Sequence, residues 1–141
     1  SQMDKPAASM AQQIAQVARA FEHERTGHAP TAVTVVLSND ALVITLHGAL
    51  SEAEKALSRD PDGAAKLQEF HGQLFATTAG TLQRAIERIT GARVREASAE
   101  IEPRTGSVAK FFTTGTVVQV FLLAGDVATD VYSDDKVPGP R

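Results

Sequence analysis

The chain predicts an α+β domain. Two β-hairpins form a four-stranded, mainly antiparallel sheet, with an N-terminal helix and a long central helix packed on one face. Apolar residues recur at three- and four-residue spacing over positions 10–21 and again over 67–89, as amphipathic helices require. Between them, two β-branched runs at 32–37 and 41–47 flank Ser38-Asn39-Asp40, a hairpin signal. The second run gives way at Gly48 to Ser51-x-x-Glu54, which reads as a capped helix start.

Each element follows from its residues. Ser9 is an N-cap for a helix running to about Thr26, with Met10, Ile14, Val17, Ala18 and Phe21 on one buried stripe. Gly27 stops that helix and Pro30 prevents its resumption. The two β-branched runs are apolar at nearly every position, which implies cover on both faces or a central place in the sheet. Ser51 and Glu54 form a reciprocal capping box on a short helix ending near Asp60-Pro61. A helix from about Gly63 to Thr90 carries Leu67, Phe70, Leu74, Leu82, Ile86 and Ile89 on one face. At ~1.5 Å per residue it spans roughly 40 Å, enough to cross a four-stranded sheet. Gly72 and Gly80 each weaken it by about 1 kcal/mol, and Gly91 closes it. Residues 93–102 alternate as a strand with one wet face, 103–106 turn, and 107–123 hold one long or two short strands broken at Thr114-Gly115. Residues 1–8 are expected outside the domain, Ser1-Gln2 reading as a cloning remnant; 9–124 form one domain. The polar, acidic segment 125–141 is expected as a mobile tail.

Composition narrows function by exclusion. The chain has 141 residues, 43% hydrophobic and 22% charged, enough for a core without staples. The absence of cysteine removes disulfides, thiolate nucleophiles and Cys-ligated metals, and fits a reducing cytoplasm. A net charge of -3 argues against a dedicated nucleic-acid binder. The most apolar run, 117–124, is too short to span a bilayer as a helix.

The chemistry-bearing residues mostly have structural explanations. His23, His28, His47 and His71 lack any zinc-ligand spacing. Ser107-Val-Ala-Lys110 matches an S-x-x-K spacing, but in a β-rich segment the two side chains point to opposite faces. Glu52, Glu54, Asp60 and Asp62 complement helix N-termini, and Asp126, Asp130, Asp134 and Asp135 read as solvated. Arg84, Arg88, Arg93 and Arg95, with Arg104 and Lys110 nearby, form a basic cluster that could dock an anionic partner. No phosphate loop or dinucleotide fingerprint is present, and no catalytic residue, cofactor or metal is expected.

Five segments occur in the order of a known family. They are 26–31 (TGHAPT), 39–46 (NDALVITL), 50–57 (LSEAEKAL), 86–94 (IERITGARV) and 120–123 (VFLL). Across roughly 21–123 the chain resembles the MpsC family, labelled a Na+-translocating membrane potential-generating system. The stretch 104–115 is longer than the corresponding family loop. The resemblance implies a non-enzymatic accessory or regulatory module, cytoplasmic or peripheral at the membrane through a membrane-protein complex. A sheet covered on one side further suggests a homodimer. The competing reading is a small-molecule binder or enzyme, with a pocket between the long helix and the sheet edged by His47, His71 and the arginines.

Overall fold

The computed structural model describes residues 8–101 and 115–134. The elements run α1 (Met10–Thr26), β1 (Ala32–His47), α2 (Glu52–Leu57), α3 (Pro61–Thr90), β2 (Val94–Ile101) and β3 (Val117–Ser133). The class is α+β as predicted, and both strand pairings are antiparallel.

The helix boundaries have local causes. The Ser9 hydroxyl accepts from Gln12 N, and Gly27 ends α1 in the left-handed conformation at φ 78°. Both halves of the Ser51–Glu54 capping box form. α3 begins two residues before the predicted Gly63, because Asp60 caps it and Pro61 occupies a first-turn position that needs no N–H. Its buried stripe is also rotated from prediction. Leu67, His71, Phe75, Ala79, Leu82 and Ile86 face inward, whereas Phe70 is 55% exposed. Counting in steps of three and four from Leu67 reaches either Phe70 or His71. The Glu54 carboxylate, placed by the capping box, selects His71.

The sheet corrects the predicted strand count. Among the described residues it has three strands in the order β1-β3-β2, not four. β1 runs without interruption through Ser38-Asn39-Asp40 and doubles back there. Thr31 N donates to His47 O at 2.8 Å, whereas a straight strand of 16 residues would hold its ends about 50 Å apart. Asn39, at φ 56°, sits at the bend. The inward positions change parity across it, from Val33, Val35 and Leu37 to Leu42, Ile44 and Leu46. β3 follows the same bend, pairing its first part with 41–46 and its last part with 34–39, and the register shifts between Leu37 and Ala41.

Residues 125–133, expected as tail, are therefore part of β3. Their acids do structural work that their polarity hides. Asp130 Oδ2 accepts from Ala11 N at 2.8 Å, tying β3 to the start of α1. Asp134 Oδ1 accepts from Val33 N, and its other oxygen pairs with Arg19. Neither is simply solvated, although Asp126 is exposed. Asp135 lies outside the described residues.

The core lies between the helices and one face of the sheet. Ile14, Ala15 and Ala18 from α1, and Leu67, Phe75, Leu82 and Ile86 from α3, meet Val35, Leu37, Ile44, Leu46 and Phe121. On the opposite sheet face Val36, Val43, Val118, Val120 and Leu122 are only half-buried.

Candidate functional site

Two charged residues continue the buried stripe of α1 instead of ending it. Glu22 lies one turn beyond Ala18 and is fully buried, and its carboxylate pairs with the Arg25 guanidinium, whose side chain is 3% exposed. Among the described residues the pair is incompletely satisfied: Glu22 Oε2 and Arg25 Nε and Nη1 have no hydrogen-bond partner there. The Arg25 guanidinium also lies 5.3 Å from the centroid of the Phe21 ring.

This pair borders a groove of about 500 Å³ between α1 and α3. One wall is Phe21, Glu24 and Arg25 of α1; the other is Thr77, Thr78, Gly80, Thr81 and Arg84 of α3. An adjoining hollow extends it to Arg88. A methyl group at Gly80 would reach only ordinary contact, 3.4 Å, with Arg84 Nη1. Three threonines in one turn are costly in a helix interior unless their hydroxyls find partners. Thr77 and Thr78 donate theirs to Gln73 O and Leu74 O at 2.8 and 2.6 Å. Thr81, exposed on the groove, accepts from Arg84 Nη2 at 3.4 Å, and among the described residues its own proton has no protein acceptor. The groove thus offers cationic nitrogens and a hydroxyl donor beside an aromatic face.

The structure divides the predicted basic cluster. Arg84 and Arg88 lie on the groove, exposed. Arg95 lies on the sheet, reaching Asp40 and Glu96 at 3.3 and 3.2 Å and donating to Leu123 O. Arg93 is exposed at the start of β2. Arg104, Lys110 and Ser107 lie outside the described residues, as does most of the 104–115 stretch.

The histidines are also separate. His71 is 5% exposed and donates from Nε2 to Glu54 Oε2 at 2.7 Å, joining α3 to the α2 cap. Burial pushes the Glu54 carboxyl up, but the Ser51 amide and His71 outweigh it and hold it below the ordinary carboxylate range. His28 donates to Gly48 O, and His47 shares a hydrogen bond with Thr34 Oγ1. His23 is exposed. The expected pocket between α3 and the sheet is filled by side chains, with the Phe75 and Phe121 rings tilted at 57° and 6.0 Å apart between centroids. The cavity lies between the two helices instead. Among the described residues, no three His, Asp or Glu side chains are grouped to hold a metal.

Residues 7–116 match the family model described as Na+-translocating membrane potential-generating system (MpsC). The chain belongs to this family. No curated protein and no solved structure matches it. The match to MpsC covers α1, β1, α2, α3 and β2, so both walls of the groove lie within the family region. Glu22, Arg25, Phe21 and the threonines are absent from the sequence-based candidates. The signal for Glu22 is its position: spacing from Ala11, Ala15 and Ala18 puts a carboxylate on the buried stripe, where only a paired charge is tolerated.

Proposed function

We propose that this chain is a non-enzymatic accessory and regulatory module of a Na+-translocating, membrane-potential-generating system. It works at the cytoplasmic side, as a homodimer, held to the membrane by integral-membrane partners. The observation that supports this most is the family match over residues 7–116. Among the described residues no helix is long and apolar enough to cross a membrane, so this role calls for a partner that does. The exposed arginines Arg84, Arg88 and Arg93 are the candidate contacts to that partner or to anionic headgroups, with Arg104 and Lys110 as further candidates.

The experiment is affinity capture of the tagged chain from detergent-solubilised native membranes, with membrane potential measured at varied Na+ in cells lacking it. Integral-membrane subunits are expected in the eluate, and the Na+-dependent part of the potential is expected to fall. Capture of no such subunit, together with an unchanged potential, would sink the proposal.

A further inference from the structure

We propose that the groove between α1 and α3 is a binding site for a small soluble ligand bearing a carboxylate or phosphate group. The inference rests on the groove alone and holds whether or not the chain serves a membrane system. Four observations converge there. The volume, about 500 Å³, is that of a small-ligand site. The Arg25 side chain lines the groove wall, and among the described residues its Nε and Nη1 and the neighbouring Glu22 Oε2 are buried without partners, a state that native interiors seldom leave uncompensated. Among the described residues Arg84 makes no ion pair, and its hydrogen bond to Thr81 is long at 3.4 Å. Thr81 retains an unused hydroxyl proton pointing to the same requirement, an acceptor.

The chemistry selects an oxyanion. Arginine nitrogens and a hydroxyl proton are donors, and charge-assisted bonds to carboxylate or phosphate are the strongest they make. Thr77 and Thr78 spend their protons on helix carbonyls and serve as walls. Glu22 already holds one edge of Arg25, so that guanidinium is positioned rather than free to swing. Arg84 is exposed and supplies the mobile half of the clamp. Glu24, the carboxylate on the wall, opposes a second negative charge and favours a compact ligand over a polyanion.

The test is amide chemical-shift titration of the full chain with inorganic phosphate and, separately, acetate at low ionic strength. Saturable shifts at Thr77, Thr78 and Thr81 are expected for at least one anion. R84Q and T81V, both at exposed positions, are expected to keep the fold and weaken binding, R84Q by about tenfold, as loss of a charge-assisted contact implies. K66Q, at an exposed position of α3 about three turns before the groove, is expected to change nothing. Absence of saturable shifts with either anion would overturn the assignment. So would binding that survives R84Q and T81V together, or binding to phosphatidylglycerol vesicles without response to either free anion.

Discussion

Buried charge sets the sharpest expectations for single residues. Glu22 and Arg25 face each other away from water, and removing one partner leaves the other uncompensated. R25M is therefore expected to cost about 3–5 kcal/mol in urea unfolding. The double variant E22L/R25M removes both charges and is expected to recover most of that loss. A double variant as unstable as R25M alone would show that packing, not charge, holds this turn. Glu54 gives a different signature because its carboxylate titrates. Its folded pKa lies below the unfolded value, so its contribution is full above about pH 4.5 and is lost as pH falls through the folded pKa. E54A is expected to lose about 1–2 kcal/mol at neutral pH, by loss of the cap and the His71 bond, and less in acid. E54Q keeps a capping side chain but no charge, so it should fall between the two. Unfolding curves at neutral pH and near pH 3 separate these outcomes. An equal loss at both pH values would contradict the titration argument.

At the scale of elements, the joint between α2 and α3 leaves less room for a side chain than any other described glycine site. A Cβ added at Gly63 would stand 2.2 Å from the Leu57 carbonyl oxygen, a backbone atom that cannot swing aside. G63A is expected to destabilise by about 2–3 kcal/mol despite the better helix propensity of alanine. G72A, at an open helical site, should instead stabilise by roughly 0.5–1 kcal/mol. Thermal unfolding of the two variants gives opposite signs if the clash dominates. The contrast also shows what a sequence can display. Caps at Ser9 and Ser51 depend on residues three apart, so they can be read directly, whereas the Asp60 cap is hidden by Pro61, which reads as a helix end. The bend at Asn39 is legible as a turn, but the continuous pairing with β3 depends on partners some eighty residues away. Residues 125–133 look like tail because their acids suit solvent, yet Asp130 and Asp134 are consumed by the Ala11 and Val33 amides. The groove is hidden for the same reason: Arg25 and Thr81 approach one cavity only after both helices dock.

At the scale of the molecule, among the described residues the sheet has one face in the core and one that no helix covers. On the latter, Val43 pairs with Val120 and Val36 with Val131, and Val131 is 60% exposed. This face is where the proposed homodimer would close, since closed two-fold association is the commonest symmetric assembly. In such a dimer the valines, most of them already half-buried, each contribute less than the roughly 1.5 kcal/mol of a fully exposed side chain, before the cost of immobilising two chains. Because a two-fold interface uses the same patch twice, one substitution acts on both sides. V43D would set two carboxylates in an apolar contact with no partner nearby. Light scattering after gel filtration is expected to give twice the chain mass for the wild type and the single mass for V43D. Far-ultraviolet circular dichroism should be unchanged, because Val43 faces away from the helices. A wild type that stays monomeric at high micromolar concentration would remove the dimer. A V43D variant that stays dimeric would move the interface elsewhere, with the exposed Phe70 and Leu57 near the α2–α3 joint as the next surface to substitute.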